Sequence, residues 1–353
     1  VNCLASEARF PELANPVQIN FDGKGRLWAL CMPAYPQWKP GDPKPNDKLL
    51  IFEDNDGDGV ADRMKVFADG LHVPIGFEFF DGGVFVASQP QLLYLKDTDG
   101  DGRADIREIV LDGFGSEDTH VGICSLEWSP GGELYLLEGV AKSTTVETIH
   151  GPMRNRTPTV YTFNPRTLKL SIHIKPAPVN PWSFVHDRWG QGFVGDGTTA
   201  NHFWTSPLSG AAFSGRPGID PFLKYSGARL RPMIGAEFVS SRHFPDDAQG
   251  NYLYACVINL NGIPQFRIRD DGAGFAAERV EDMIVSSDKN FRPVDPQFGP
   301  DGALYFGDWH AALIGHMQYS QRDPNRDHAH GRIYRITHAE RPLLKPVIAA
   351  GRP

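Results

Sequence analysis

The chain has 353 residues, of which 41% are hydrophobic and 22% charged, a balance typical of a globular protein with a large core rather than of a disordered chain. Its formal net charge of −8 gives no electrostatic attraction to nucleic acid or to an anionic membrane. No apolar run reaches the roughly 18 residues of a membrane-spanning helix, and the four cysteines form no CxxC pair, so we expect them to be small buried residues.

A strand–turn–strand unit recurs six times along the chain. Each copy has an apolar strand, a turn rich in Asp or Gly, and a second strand with an aromatic residue, from VQINFDGKGRLWAL in the first copy to PQFGPDGALYFGDW in the last. The turn glycines lie about 50 to 60 residues apart, and they are Gly25, Gly82, Gly132, Gly190, Gly250 and Gly302. Further hairpin signals follow several copies, so each repeat predicts a four-stranded antiparallel blade. Six such blades closed into a ring form an all-β, six-bladed β-propeller, which we expect to be one domain over residues 1–353.

The two ends of the chain predict how the ring closes. After the sixth copy the chain has one more clear strand, GRIYRITH, and the segment VNCLASEARF precedes the first copy without a partner. We expect this N-terminal segment to join the last blade as its fourth strand, because that pairing removes an open sheet edge.

Two loops, in blades one and two, share the pattern DxDGDGxAD. Carboxylates at positions one, three and five and a glycine at position six match the first half of an EF-hand calcium loop. Position twelve is Glu108 in the second loop but Lys65 in the first, which therefore lacks that ligand. We predict that the two loops bind calcium in a structural role. The alternative is that Asp and Gly occur there as ordinary turn residues. The eight carboxylates are Asp54, Asp56, Asp58, Asp62, Asp97, Asp99, Asp101 and Asp105.

The connections between successive blades are the best candidates for a functional site. They enter the innermost strands, so their side chains surround the mouth of the central channel, on the face opposite the DxDGDG loops. His120, in EDTHVGIC before blade three, is either a base in an active site or a histidine that satisfies nearby backbone groups. A small polar ligand at the mouth would also meet the other connections, which contain Asn15, His72, Asn180, Trp182, Arg231, Arg292 and Asp295.

Longer loops inside the blades add an outer wall to this face. They cover residues 31–46 with Trp38, 138–156, 196–204 and 308–330. The last loop begins with Asp308, Trp309 and His310, which we expect to contact substrate. Its imidazoles and carboxylates could bind a transition metal, and they are His310, His316, His328 and His330 with Asp308, Asp323 and Asp327. The preferred interpretation is instead an ion-pair network of Arg322 and Arg326 with the acids of that loop.

The sequence resembles the soluble quinoprotein sugar dehydrogenases, which include the glucose, aldose and sorbosone dehydrogenases. It is also similar to the membrane-bound dehydrogenase domains of planctomycetes and their relatives. The resemblance runs from LANPVQINFDGKGRLW to DWHAALIGHMQYSQRDPNRDHAHGRIYRI. It implies pyrroloquinoline quinone as the cofactor and, from the segment DTHVGICSLEWSPGGELY, His120 as the base that takes a hydroxyl proton while hydride passes to the quinone.

The resemblance also implies a set of binding residues and partners. Arg and Lys side chains hold the anionic quinone in those enzymes, and the candidates here are Arg231, Arg242 and Arg292 with Asn180, and Lys142 and Arg154 from a loop of blade three. The expected substrate contacts are His72, Trp182, Asp308, Trp309 and His310. The implied substrate is a small sugar or glycan, the implied electron acceptor is a cytochrome c, and the implied location is periplasmic or extracellular.

Two other functions fit the same fold. A calcium-dependent lactonase would hold its ion in the channel, with Asn15, Asn180 and Asp196 as candidate ligands. The opening sequence motif EGP that is expected of that family is missing. A propeller without catalytic activity could bind glycans or dock within a larger electron-transfer protein.

Overall fold

The computed structural model describes residues 1–205, 230–316 and 319–347. Nearly all of its regular structure is antiparallel β-sheet, and a short strand, β1 (Asn2–Ser6), precedes the first blade. Two short 3-10 turns, Thr119–Val121 and Asp246–Ala248, interrupt the strands. The described part of the chain contains no helix of the length and apolar character that a membrane crossing requires.

Blades one and two are regular four-stranded meanders. Blade one consists of β2 (Pro16–Phe21), β3 (Leu27–Cys31), β4 (Asp47–Glu53) and β5 (Arg63–Leu71). Blade two consists of β6 (Phe77–Phe80), β7 (Gly83–Ser88), β8 (Gln91–Lys96) and β9 (Ile106–Asp112).

Blade three carries an inserted hairpin. Its strands are β10 (Cys124–Trp128), β11 (Leu134–Glu138), β14 (Thr159–Asn164) and β15 (Lys169–Ile174), and the hairpin between the second and third consists of β12 (Thr144–Thr148) and β13 (Gly151–Asn155). The described residues of blade four form three strands, β16 (Pro181–His186), β17 (Gly192–Asp196) and β18 (His202–Thr205).

Blades five and six complete the ring. Blade five contains β19 (Met233–Phe238), β20 (Tyr252–Cys256), β21 (Gly262–Ile263), β22 (Gln265–Asp271), β23 (Gly274–Arg279) and β24 (Ile284–Val285). Blade six contains β25 (Pro293–Phe298), β26 (Leu304–Asp308) and β27 (Arg332–Ile336). Its third strand β27 pairs antiparallel with β1, which forms the outer edge of the blade, with Asn2 opposite Arg335 and Ser6 opposite Arg332. The six-bladed propeller expected from the repeats is therefore observed.

The turns of the repeats follow the sequence pattern closely. All six turn glycines have a positive φ, between 74° and 82°. A side chain with a Cβ rarely adopts this backbone conformation, so glycine is the residue that these tight turns require. Their recurrence in the sequence thus marks where the first strand of each blade turns into the second.

The core lies between neighbouring blades. The second strand of every blade, β3, β7, β11, β17, β20 and β26, is buried at every position. Both faces of these strands are covered, because each blade packs against a blade on either side. Each large apolar side chain buried there contributes about 1.5 to 3 kcal/mol relative to exposure. Cys31, Cys124 and Cys256 are buried free thiols as expected, whereas Cys3 is exposed.

The meander places the connections on two faces. The first strand of each blade runs from the mouth face to the opposite face, and the chain reverses at every strand end. The connections between blades, with His120, therefore lie at the mouth. The turns between third and fourth strands, with the two DxDGDG loops, lie on the opposite face.

Candidate active site at the channel mouth

A cavity of about 200 Å³ opens at the mouth of the channel. Four residues predicted from the sequence line it together, namely His120, Asn180, Trp182 and Arg231. They come from the connections that precede blades three, four and five. The blade-six loop adds His316, and the apolar wall is made by Met233, Ile234, Val257, Ile258 and Ile314.

His120 is fixed by a short turn of 3-10 helix. Asp118 is the N-cap of this turn, and its Oδ1 accepts a hydrogen bond from the His120 backbone N–H at 3.1 Å. The Tyr35 hydroxyl lies 2.7 Å from Nδ1 of the His120 ring. Burial, helped by the nearby His316, lowers the pKa of His120 to about 3, so its imidazole is neutral at physiological pH.

His316 was considered in the sequence only as a possible metal ligand, and its position beside His120 was not predicted. Its ring stacks on that of His120 with centroids 4.3 Å apart, and its Nε2 lies 2.9 Å from Oδ2 of Asp118. Burial acts to raise the pKa of Asp118, but the hydrogen bond and charge of His316 outweigh it and hold that pKa below its ordinary value. The only sequence signal was the position of His316 in the longest loop of the mouth face.

Residues outside the cavity hold Asp118 and His120 in place. The Lys142 ammonium donates to the backbone carbonyl of Asp118, and burial lowers the pKa of Lys142. Tyr35 is buried and packs edge-on against Trp309, with ring centroids 5.1 Å apart. Lys142 and Trp309 therefore support the site without lining the cavity.

Asn180 and Arg231 form the opposite side of the cavity. Asn180 Nδ2 donates to Thr198 Oγ1 at 3.2 Å, and one guanidinium nitrogen of Arg231 donates to the Thr198 carbonyl at 3.3 Å. Asn180 Oδ1 is buried and has no hydrogen-bond partner among the residues that the structure describes. A buried acceptor of this kind is costly unless a ligand or water satisfies it.

Two of the predicted cofactor contacts, Arg292 and Arg242, do not line the mouth cavity. Arg292 is buried, and its guanidinium donates to three backbone carbonyls, those of Val257, Ala311 and Ala312, at 2.7 to 3.1 Å. Through these hydrogen bonds, the Arg292 guanidinium holds the blade-six loop in place. Arg242 lines a groove on the opposite face of the propeller. The exposed Arg154, in strand β13, is not among the residues that line the mouth cavity.

Four of the five predicted substrate contacts also lie outside the cavity. His72 is bonded through Nδ1 to the Gln89 carbonyl at 2.9 Å. Asp308 is fully buried and accepts the backbone N–H groups of Arg292 and His310 at 2.8 and 2.9 Å. It also lies 3.3 Å from the His310 ring, and its hydrogen bond raises the pKa of His310. These side chains order the connections, and of the predicted substrate residues only Trp182 reaches the cavity.

The blade-six loop is held differently from the expected ion-pair network. Arg326 donates to the carbonyls of Ser320 and Gly315 at 2.9 and 2.8 Å rather than to acids. Arg322 pairs with Asp42 of blade one at 2.8 Å. His328 bonds the Pro33 carbonyl at 2.7 Å, so it does not share a ligand with His330.

Below the mouth, the channel contains a ring of acids, which we call the channel acids: Glu78, Glu127, Glu237 and Asp295. Each comes from the innermost strand of a different blade. A small cavity of about 30 Å³ there is lined by Glu127, Asp295 and the amides of Gln18 and Gln297, among others. Only Asp295 was singled out from the sequence, although an acid between apolar residues recurs in FEFF, LEW and AEF.

Enclosure raises the pKa of every channel acid. Burial raises the pKa of Glu78 and of Asp295 to about 7 and that of Glu237 to about 8. Burial and the three other acids raise the pKa of Glu127 well above its usual value. The carboxylates touch channel solvent but are surrounded by the ring of strands, so a full set of negative charges there is unfavourable.

The DxDGDG loops bring three carboxylates together in each case. The first three acids of each loop, Asp54, Asp56 and Asp58 in blade one and Asp97, Asp99 and Asp101 in blade two, place ligand oxygens within 4.8 Å of one another. The ninth-position acids lie apart from these groups. Asp62 accepts the Asn55 backbone N–H at 2.8 Å, and Asp105 accepts that of Thr98 at 3.1 Å. Both therefore close the loop rather than join the cluster.

Of the three residues suggested for a channel calcium, Asp196 does not favour such a site. Asp196 is buried and already accepts hydrogen bonds from the backbone of Asn180 and of Thr198, both at 3.2 Å, and from the Thr199 hydroxyl at 2.6 Å. Asn15 is buried and donates to the Trp309 carbonyl at 3.3 Å. The Oδ1 atoms of Asn15 and Asn180 are buried without a hydrogen-bond partner among the described residues, so only Asp196 has its oxygens occupied.

The fold is shared by several solved propellers. A protein of Thermus thermophilus described as an oxidoreductase (glucose dehydrogenase) superposes with a TM-score of 0.62 at 16% identity, over 94% of this chain and 99% of that one. The PQQ domain of pyranose dehydrogenase from Coprinopsis cinerea gives 0.58 at 12% identity and 94% coverage of both chains. A protein described as a gluconolactonase gives 0.53 at 12% identity, over 98% of this chain and 93% of that one. The class defined by fold is thus a six-bladed propeller shaped like sugar dehydrogenases and lactonases.

The sequence places the chain in a specific family. It matches the family described as a domain of unknown function, DUF7133, over residues 1–217 and 228–340. The chain belongs to this family. A comparison with curated proteins gives no sequence match.

Proposed function

We propose that the chain is an extracytoplasmic dehydrogenase that oxidises a hydroxyl group of a sugar or polyol with pyrroloquinoline quinone. The observation that carries this proposal is the mouth cavity, where the His120–His316 pair faces Asn180, Trp182 and Arg231. A neutral imidazole suited to accept a proton, an aromatic surface and a cation are the groups that such a reaction requires. The structural similarity to a glucose dehydrogenase and to a PQQ domain supports the proposal at the level of the fold.

The residues present fit one part of the quinone. Arg231 would pair with a carboxylate of this anionic cofactor, and the unpartnered Oδ1 of Asn180 would accept its pyrrole N–H. The apolar wall that includes Ile234, Val257 and Ile314 suits a flat aromatic ring. When bound, the quinone would supply the hydride acceptor that no side chain can provide.

The chain's own residues would handle the proton and the substrate. The sequence resemblance gives His120 as the base, and its stacking against His316 puts two imidazoles at the same point of the cavity. Trp182, whose ring lies 5.5 Å from that of His120, offers a surface for the apolar face of a sugar ring. The apolar wall would limit the access of water to the reacting hydroxyl.

Calcium in the two DxDGDG loops is part of the same proposal. In the first loop, three convergent carboxylates without the bidentate twelfth ligand favour weak binding, in the range of about 10⁻⁴ to 10⁻³ M that extracellular calcium modules show. Such sites would be filled outside the cytoplasm, which supports the proposed location. The physiological electron acceptor would be a cytochrome c.

The test is a titration of quinone-free protein with pyrroloquinoline quinone in calcium, followed by absorption spectroscopy and a dye-reduction screen over aldoses and polyols. We expect saturable binding, and reduction of the bound quinone by at least one sugar. Arg231→Gln should weaken quinone binding, whereas Arg188→Gln, which removes an exposed arginine from the opposite face, should leave it unchanged.

Three outcomes would contradict the proposal. No binding at tens of micromolar quinone would remove the cofactor from the mechanism. Release of acid from sugar lactones without any electron acceptor would identify a lactonase instead. Glycan binding without either reaction would identify a docking module.

A further inference from the structure

One nitrogen of each mouth imidazole is occupied and the other is open. Nδ1 of His120 faces the Tyr35 hydroxyl at 2.7 Å, and Nε2 of His316 faces Oδ2 of Asp118 at 2.9 Å. Among the residues that the structure describes, the remaining nitrogens, Nε2 of His120 and Nδ1 of His316, have no hydrogen-bond partner, and both rings line the cavity. The two partners therefore determine which open nitrogen carries a proton.

Tyr35 gives the open nitrogen of His120 its proton. Within the described chain, His120 Nδ1 is the only hydrogen-bond partner of the buried Tyr35 hydroxyl. Burial also raises the pKa of Tyr35, so the phenol keeps its proton. A buried O–H without an acceptor would be costly, which means that Tyr35 donates to Nδ1. His120 must then carry its own hydrogen on Nε2 and present a donor to the cavity.

Asp118 leaves the open nitrogen of His316 without a proton, in contrast to the open nitrogen of His120. An ionised carboxylate can only accept a hydrogen bond, so His316 carries its hydrogen on Nε2, and the lone pair of its Nδ1 stays open. The lowered pKa of Asp118 keeps this carboxylate ionised. Oδ1 of the same carboxylate caps the turn that holds His120, so a single side chain orients both rings.

We infer that His316, oriented by Asp118, is the proton acceptor of the mouth cavity in place of His120, the base that the sequence resemblance implies, and that His120 is a hydrogen-bond donor to the substrate oxygen. The inference rests on the proposed function for its reaction. There, the O–H bond of the substrate breaks and its proton forms the Nδ1–H bond of His316. The C–H electron pair leaves as hydride to the quinone, so the alcohol becomes a carbonyl. His120 Nε2–H stabilises the negative charge that develops on the oxygen.

The charged and titratable groups around His316 come from every neighbouring element. They are Asp118 and His120 from the connection before blade three, Lys142 from the blade-three loop, Arg231 from the connection before blade five, and Arg326 from its own loop. Of these, only Asp118 hydrogen-bonds to the His316 ring among the described residues.

The first test needs neither quinone nor substrate. Long-range ¹H–¹⁵N correlation spectra of histidine-labelled protein, assigned with His120→Gln and His316→Gln, report which ring nitrogen carries hydrogen. We expect both rings to be protonated on Nε2 at pH 7.5, and the His120 signals to stay unchanged between pH 5 and 8 because its pKa is lowered to about 3. A His120 ring that titrates in this range, or a His316 ring protonated on Nδ1, would overturn the inference.

The second test uses the turnover of the proposed dehydrogenase. His316→Gln should lower kcat by about 10²- to 10⁴-fold. Asp118→Asn, which keeps the cap but weakens the orientation of the ring, should lower kcat less. His150→Gln, in the exposed hairpin of blade three, is the matched control and should change nothing.

The failures of the two proposals are distinguishable. Wild-type protein that neither binds quinone nor oxidises sugars would defeat the proposed function, while the spectra would still decide the protonation of the two rings. An active wild type together with a His316→Gln variant of unchanged kcat would defeat the inference alone.

Discussion

The two faces of the propeller are ordered in different ways. At the mouth, the decisive contacts join residues far apart in the chain, because His316 and Asp118 are separated by 198 positions and Tyr35 and His120 by 85. On the opposite face, the first DxDGDG loop is held by hydrogen bonds between residues two to seven positions apart. One face therefore depends on the closed ring, and the other depends on its own local sequence.

The largest expected effect is on stability just below the mouth. Gly235 has a φ of 80°, and a Cβ at this position would lie 2.6 Å from Cα of Asp295 in the next blade. Gly235→Ala should therefore cost about 3 to 5 kcal/mol, since it adds backbone strain to a clash with main chain. Gly132→Ala on the opposite face, with a similar φ of 81° but open space around it, should cost only about 1 to 2 kcal/mol. Denaturant unfolding of the two variants measures the difference, and equal losses would mean that the blades can shift apart at no cost.

The channel between the two faces should make stability depend on pH. Among the channel acids, Glu78 and Asp295 have folded pKa values of about 7 and Glu237 of about 8, and the pKa of Glu127 is raised as well, whereas ordinary values are about 4 when unfolded. The folded protein therefore binds more protons in between. Their contribution is complete at low pH and is lost as pH rises through 7 to 8. The buried His202, with a pKa lowered to about 3, acts in the opposite direction but only as pH falls below about 6.5.

Thermal unfolding between pH 6.5 and 8.5 checks this sign. We expect the free energy of unfolding to fall by roughly 2 to 3 kcal/mol as pH rises across that range. Glu127→Gln should flatten the slope, because it removes an acid whose pKa is raised well above its ordinary value in the folded protein. A free energy that rises with pH would contradict the raised pKa values.

A matched pair of tyrosines tests the difference between the faces directly. Tyr35→Phe removes the hydroxyl that faces His120, so we expect a loss of about 10- to 100-fold in turnover of the proposed reaction. Tyr94→Phe makes the same atomic change on the opposite face, where the hydroxyl bonds the Asp81 carbonyl, and should leave turnover unchanged. Equal turnover in the two variants would show that the tautomer of His120 does not depend on Tyr35.

The smallest effect belongs to the DxDGDG loops. Calcium at about ten to a hundred times its dissociation constant should stabilise the protein by about 1.4 to 2.7 kcal/mol for each site that binds it. Asp99→Asn should remove the stabilisation that calcium gives at the second loop. Asp112→Asn, in the neighbouring strand, should leave that stabilisation unchanged. Calorimetry with calcium and then with excess chelator measures both. A midpoint of thermal unfolding that does not change with calcium would show that the loops are ordinary turns.

The same contrast explains how much the sequence could predict. The six turns and both DxDGDG loops were predicted residue by residue because their glycines and carboxylates act on near neighbours. His120, Asn180, Trp182 and Arg231 could be placed at the mouth from the order of the strands alone.

The path of the long loops could not be obtained in this way. Nothing local shows that the blade-six loop crosses the mouth and lays His316 on His120. No sequence pattern shows that the guanidinium of Arg292 donates to the carbonyls of Val257 and of that same loop. From the sequence alone, this arginine was therefore predicted to contact a cofactor.

The pairing of β1 with β27 has a mechanical consequence. The chain enters the ladder at Asn2 and leaves it just after Arg335, and these two residues are paired. A force that pulls the two ends of the propeller apart therefore loads one end of the ladder and peels it open one bond at a time, instead of shearing all its bonds at once. Such a ring opens under a small pulling force at this one seam, whereas its other blades, each a continuous meander, stay folded.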